Sequence, residues 1–337
     1  MARGGEGDRP GPSPAGRKIF ITGASGFIGG ALAERLRARG DTVIGVDLQA
    51  DPDAGVVAGD IAEPGDWQEH AAGAHLVIHT AAIVSNMIGM DEQWRVSVVG
   101  TRNALDAAVR GKASRFLHLS SVRAFSDVGF PDAVTEDYPV RPDGNPYVDT
   151  KIACEQVVLQ AHAAGELAAT IVRPGDVYGP GSRPWTIVPV EAIKRSQLLL
   201  PAMGKGIFSP VYVDELVDGI LLAADNPAAV GHVFTISGGV GVPCKEFFGY
   251  YSRMLGKGKP VVVPTSVALA LAGTYSHAVK LRGRRTEINP VSVRYLTRTG
   301  TYSIDKARRV LGFEPKVGLE EGMARTRDWL AREGMIT

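Results

Sequence analysis

The sequence predicts an α/β protein: a doubly wound parallel sheet carrying a smaller, mostly C-terminal lobe. Three observations support that expectation. An apolar run beginning at Lys18 turns through three glycines into a helix. Five further strand-like runs follow, separated by helical stretches, as far as Pro174. A length of 337 residues also leaves room for an appended lobe beyond the sheet.

The opening unit is "KIFITGASGFIGGALAERLRARG" (18–40). Its helix sets Phe27, Ile28, Leu32 and Leu36 at apolar spacing and ends at Gly40. Gly23, Gly26 and Gly29 fall on the turn and the first helical turns. Small residues there let the backbone approach a pyrophosphate, whose charge a helix N-terminus favours. The spacing is G-x-x-G-x-x-G rather than the usual G-x-G-x-x-G.

The second strand, "DTVIGVDLQ" (41–49), ends in Asp47, 24 residues after Gly23. An acid at that place accepts hydrogen bonds from both ribose hydroxyls of NAD and repels a 2′-phosphate. No Arg or Lys follows in "LQADPDAG", so NAD is the expected cofactor. "VVAGDI" (56–61) reads as the third strand, with Asp60 placed to meet an adenine amino group. "HLVIHTAA" (75–82), "RFLHLSSV" (115–122) and "AATIVRP" (168–174) are the fourth to sixth. His79 and His118 lie inside these apolar runs without metal-ligand spacing. They read as hydrogen-bonded core histidines, and no metal is expected.

Two Tyr-x-x-x-Lys pairs occur, "YVDTK" (147–151) and "YSIDK" (302–306). Ligands of a doubly wound sheet lie at the carboxyl ends of its strands, where "HLSS" places Ser120 and Ser121. Tyr147 follows 26 residues after Ser121 and opens a helix that stacks it with Lys151 one turn later. A cation beside a phenol favours the phenolate, and a nearby serine hydroxyl can hydrogen-bond an oxygen as its proton moves. Tyr302 instead precedes a Ser-capped helix with apolar Ile304, Ala307, Val310 and Leu311, and reads as structural.

These motifs together resemble the extended short-chain dehydrogenase/reductase family, with its Rossmann-type fold. "TGASGFIG" (22–29), "HTAA" (79–82), "LSSVRAF" (119–125), "YVDTK" and "RPGDVYGPG" (173–181) carry the resemblance in order. It implies Ser121 as catalytic serine, Tyr147 as acid/base and Lys151 as the residue that holds the ribose and tunes the tyrosine. Cofactor contacts would fall on Gly23, Ser25, Gly26, Phe27, Ile28, Gly29, Asp47, Asp60, Ile61, Thr80, Ala81, Ala82, Tyr147, Lys151, Pro174 and Val177. The family usually carries Asn in a motif N-x-x-G-T; here Ser97 occupies that place in "SVVGT". The resemblance also divides the chain into a cofactor domain (17–175 plus about 208–236) and a substrate lobe (about 176–207 and 237–337).

Substrate choice rests on the second half. Val122 and Arg123 stand where sugar dehydratases put an acid pair, so dehydration is poorly supported. In "GKGIFSPVYVDE" (204–215), Ile207, Phe208 and Ser209 stand where nucleotide-sugar epimerases commonly carry a diphosphate-gripping Arg. Lys205 lacks that bidentate fork. The C-terminal segment 288–330 resembles the 3β-hydroxysteroid dehydrogenase and sterol-4-carboxylate 3-dehydrogenase group. The expected activity is therefore NAD-dependent oxidation of a 3β-hydroxyl on a hydrophobic, steroid-like substrate. Val84, Ser85, Val122, Arg123, Tyr178 and Phe208 are the expected substrate contacts. A nucleotide-sugar 4-epimerase is the alternative, and a non-catalytic NAD-binding regulator a second.

The remaining expectations are coarse. A net charge of +1 gives no reason to expect nucleic acid. Cys154 and Cys244 are too few for a disulfide framework, which fits a reducing cytoplasm. Residues 1–16 lack the apolar core of a signal peptide and read as a disordered tail. "PVVVPTSVALALAG" (260–273) is too short to span a bilayer and reads as a buried helix start, or more sharply as an apolar lip beside a pocket or membrane. Residues 280–298 hold six Lys or Arg against one acid. They read as a solvated or dimer-flanking face, or as peripheral contact with anionic lipid. A homodimer is a family expectation.

Overall fold

A computed structural model describes residues 16–127 and 129–336. The expected tail lies, apart from Gly16, outside the described residues. Strands β1 (Lys18–Thr22), β2 (Thr42–Asp47), β3 (Val56–Ala58), β4 (Leu76–His79), β5 (Arg115–Leu119) and β6 (Ala169–Pro174) are joined by Val233–Ile236 in one sheet. Its order is Val233–Ile236, β6, β5, β4, β1, β2, β3, and every pairing is parallel.

Helices cover both faces, so the central strands are apolar on both sides. Phe20, Val46, Val77 and Phe116 face one core with Trp67 and Leu105. Ile19, Ile21, Ile78 and Leu117 face the other, with Leu32 and Leu216. Strand order reverses between β1 and β4, and a switch point of this kind opens a crevice at the carboxyl ends. Gly23 follows β1 and Thr80 follows β4, so both motifs stand at that crevice.

The second half forms three small strand pairs, Asp176–Tyr178 with Pro210–Tyr212, Ile207–Phe208 with Val242–Pro243, and Leu199–Leu200 with Val261–Val262. Helices Cys244–Met254, Thr265–Leu281 and Leu319–Arg332 pack around them. The expectation of a buried helix at 260–273 is corrected. In Thr265–Leu281 only Ala268 and Ala272 are buried, while Val267, Leu271, Tyr275 and Leu281 are exposed. The helix is apolar nearly all round, so its composition hides which side meets the protein.

Candidate active site

At the crevice, Gly23 adopts φ +72°, a conformation that costs other residues energy. A Cβ there would stand 2.8 Å from the Ala81 nitrogen and 2.9 Å from Thr80 Oγ1. A Cβ on Gly29 would meet the Gly23 carbonyl oxygen at 2.1 Å. The two glycines thus let helix α1 (Phe27–Ala38) and the β4 turn close on the β1 turn. Asp47 ends β2 beside them: its Oδ2 accepts from the Ser25 amide at 3.0 Å and its Oδ1 from the Leu48 amide at 2.8 Å. A backbone cradle at a helix N-terminus, flanked by a carboxylate, matches the phosphates and ribose of NAD. Asp60 accepts from the Ala62 amide at 2.9 Å and faces Arg95 at 3.4 Å. Ile61 packs beneath Gly100 in the core. Pro174 ends β6, and Val177 is buried in the strand after it.

Ser120 and Ser121 part company. Ser120 Oγ is bonded to Glu155 Oε1, which pairs with Arg173 through contacts of 2.8 and 2.7 Å. All three side chains are buried, and Arg173 lies over the Phe125 ring at 4.5 Å. Ser121 N-caps the turn Val122–Phe125, its Oγ accepting from the Arg123 amide at 3.2 Å. One serine is a strut, and the other sits at the strand end.

Tyr147 opens the helix Pro146–Ala163, where Asn145 Oδ1 caps its amide at 3.0 Å and Pro146 fills the first turn. Lys151 follows one turn later and donates to the Leu119 carbonyl at 2.9 Å, which ties the helix to the end of β5. Its Nζ stands 5.9 Å from the Tyr147 ring centre. On another side the Arg123 guanidinium lies 4.9 Å from the same ring and 4.8 Å from that of Tyr295. Arg123 pairs with Asp127 and donates to Asn86 Oδ1 at 3.0 Å. A phenol with two cations near its ring, together with a serine hydroxyl whose proton is uncommitted, can accept or deliver a proton at a carbinol oxygen.

Ser97 lies in a π-helical stretch, Trp94–Val99, a departure that often marks functional sites. Its hydroxyl accepts from the Ile83 amide at 3.4 Å, and its carbonyl receives Thr101 Oγ1 at 2.6 Å and Cys154 Sγ at 3.2 Å. Ser97 therefore ties this helix to the turn after β4. His79 is bonded on both ring nitrogens, to Thr22 at 2.6 Å and Thr101 at 3.0 Å. Burial, with the Lys151 cation adding, pushes His79 down to about 3. His118 corrects the expectation of a hydrogen-bonded core histidine: both its nitrogens are buried without a hydrogen-bond partner among the described residues, and its ring stacks on His79 at 5.4 Å.

Three expected substrate contacts sit in packed clusters. Phe208 is fully buried, 4.2 Å from Phe247 and 4.7 Å from Trp185 between ring centres. Tyr178 stacks edge-on against Phe247 and Tyr212 in the same core. Val122 points into a cluster with Phe125, Phe130 and Tyr302. Phe208 therefore helps hold the lobe together. Of the other three, Arg123 stands beside Tyr147. Val84 is exposed on the loop after β4, and Ser85 Oγ donates to Glu287 at 2.6 Å. Tyr302 is buried between Phe125 and Phe130, and its hydroxyl accepts from Arg298 at 2.9 Å.

Sequence reasoning missed Glu155, Arg173, Asn145 and Glu287. Glu155 was legible, since it follows Tyr147 and Lys151 at four-residue spacing on one helix face. A lone Arg173 in "TIVRP" also signalled a buried partner. Glu287 carried no local signal.

A family model described as the NAD dependent epimerase/dehydratase family matches residues 19–237. A 3-beta-hydroxysteroid dehydrogenase of Mycolicibacterium neoaurum is 29% identical over 91% of this chain and 89% of its own length. A 2-alkyl-3-oxoalkanoate reductase of Stenotrophomonas maltophilia is 27% identical over 92% and 98%. Among solved structures, MoeE5 in complex with UDP-glucose and NAD aligns with a TM-score of 0.76 at 25% identity, covering 94% of this chain and 99% of that one. The UDP-glucose 4-epimerase of Thermotoga maritima aligns with a TM-score of 0.76 at 22% identity, over 94% and 99%, which shows a shared fold.

Proposed function

Since the chain belongs to the NAD-dependent epimerase/dehydratase family, we propose that it oxidises a secondary alcohol, a 3β-hydroxyl, on a hydrophobic, steroid-like substrate. NAD is the cofactor; when bound, it supplies the hydride acceptor. The residues fitted to hold it are the Gly23–Gly29 turn, Asp47, Asp60, Thr80–Ala82 and Lys151. Tyr147 takes the hydroxyl proton as the carbinol hydrogen leaves, Ser121 Oγ hydrogen-bonds the same oxygen, and Lys151 stabilises the phenolate. The cofactor half spans 17–175 plus about 208–236. The lobe of about 176–207 and 237–337 closes over the substrate, with Val84, Ser85 and Arg123 lining the approach.

The observation that carries the substrate class is the relationship to the hydroxysteroid dehydrogenase of M. neoaurum across nine-tenths of both chains. A nucleotide-sugar epimerase is the second reading, favoured by the sugar-nucleotide complex of MoeE5. Against it, "GKGIFSPVYVDE" holds no arginine to grip a diphosphate. The test is NADH absorbance on mixing the protein with NAD and a 3β-hydroxysteroid. An enzyme-dependent rise, abolished by Tyr147→Phe with NAD binding intact, is the expected result. No rise in protein that binds NAD, together with interconversion of UDP-sugars, would replace this reading with the epimerase.

A further inference from the structure

We propose that the exposed face of helix Thr265–Leu281, with the basic loop that follows it, docks on an anionic lipid surface. The proposal does not rest on the steroid reading. Val267, Leu271, Tyr275 and Leu281 are 43%, 50%, 45% and 76% exposed. At 100° per residue their positions fall within an arc of roughly 120° on one side of the helix. Ala268 and Ala272, the buried pair, lie beside that arc and face the protein. Four residues before the helix, exposed Val261 pairs in register with exposed Leu199.

Charge complements this face. No acidic residue occurs from Thr265 to Thr286, while Lys280, Arg282, Arg284 and Arg285 crowd the helix end, all exposed. Among the described residues, Lys280, Arg282 and Arg284 make no ion pair, and Arg285 makes only a 3.9 Å contact with Glu92. The first acid, Glu287, is turned inward to Ser85 Oγ and the Asn86 amide, at 2.6 and 3.1 Å. In a chain of net charge +1 this is a local concentration of positive charge. An apolar stripe containing a tyrosine, ending in unpaired cations, matches the layering of a bilayer interface with anionic headgroups.

The segment that follows the face is tied to the chemistry by hydrogen bonds. Glu287 holds the loop bearing Asn86, and Asn86 Oδ1 receives Arg123, which lies over Tyr147. The basic loop at the helix end is thereby joined, through Glu287 and Asn86, to the arginine beside Tyr147.

The test is co-sedimentation of the full chain with vesicles of phosphatidylcholine alone, and with phosphatidylcholine and phosphatidylglycerol at three to one. Binding should require phosphatidylglycerol and weaken with salt. With each cation worth about a fivefold change, Lys280→Gln, Arg282→Gln and Arg284→Gln combined should lower partitioning roughly 100-fold. Leu271→Ser with Tyr275→Ser should weaken binding while leaving the circular-dichroism melt unchanged, since both side chains are exposed. Failure of the full chain to bind anionic vesicles would overturn the proposal, as would equal binding to neutral ones. A concentration-dependent dimer dissolved by Leu271→Ser would overturn it in favour of a second copy on this face.

Discussion

Three glycines within five positions allow the cradle geometry to be tested by graded crowding. Gly30→Ala places a Cβ 3.5 Å from the Ala24 carbonyl oxygen, an ordinary contact, inside helix α1. Exchanging glycine for alanine in a helix interior stabilises by about 0.5–1 kcal/mol, so Gly30→Ala should melt at or above the parent temperature. Gly26→Ala meets only the Gly23 carbonyl at 3.1 Å, from a backbone at φ −72° that any residue adopts. Its cost should fall between those of Gly30→Ala and Gly29→Ala, because the carbonyl must give by a few tenths of an ångström. Gly29→Ala puts a Cβ 2.1 Å from that same oxygen and 3.0 Å from Thr80 Oγ1. Backbone cannot yield as a side-chain tip does, so overpacking should cost at least the upper end of the usual range, about 3 kcal/mol. At roughly 1.4 °C per kcal/mol for a chain of 337 residues, Gly29→Ala should melt about 4 °C lower. The forced shift separates Gly23 from the β4 turn, so NAD affinity should fall with stability. Thermal unfolding by circular dichroism and NAD titration by calorimetry read both effects. A Gly29→Ala protein with the parent's melting temperature and NAD affinity would refute the close packing of turn and helix, and with it the cradle.

Other perturbations separate struts from chemistry. Ser121→Ala should lower turnover by about 100-fold with little change in melting, whereas Ser120→Ala should retain turnover and lose about 1–3 kcal/mol in denaturant unfolding, because it leaves Glu155 short of a partner. Arg173→Met strands Glu155 in a dry site and should cost about 3–5 kcal/mol, most of it recovered when Glu155→Gln is added. Acid unfolding should report the two buried histidines. His79 binds its proton near pH 3 when folded against 6.5 ordinarily, and His118 is likewise held well below 6.5, chiefly by burial. The unfolded chain therefore takes up protons first, and stability is present above pH 6.5 and lost as pH falls toward 3, by up to about 2.7 kcal/mol per pH unit for the pair. His118→Leu should halve that slope and leave neutral-pH stability nearly unchanged, since the lost nitrogens have no partners to strand.

What could be read in the sequence, and what could not, divides by the range of the interactions involved. The glycine turn, Asp47 at a strand end and the Tyr147–Lys151 stack are set by backbone geometry over a few residues, so spacing alone specifies them. Strand existence followed from apolar runs that both faces of a parallel sheet require. Apolar runs extend past the strand ends because the chain leaves the ladder early to reach the crevice, as "DTVIGVDLQ" does after Asp47. The failures came where an apolar residue has two ways to be apolar. Phe208 and Tyr178 fill a core, Val267 and Leu271 face outward, and nothing local distinguishes them. That distinction depends on partners distant in sequence, such as Phe247 across from Phe208. The clamp from Glu287 to Ser85 spans some 200 residues and is a property of the closed fold alone. The same argument bears on specificity: the glycine turn and the Tyr147–Lys151 stack are short-range motifs, while the loop after β4, Arg123 and the segment around Glu287, which we propose as the substrate approach, meet only in the closed fold. Variants at Val84, Arg123 and Glu287 should therefore alter substrate preference with NAD affinity unchanged, and a parallel change in NAD affinity would place those residues in the cofactor half instead.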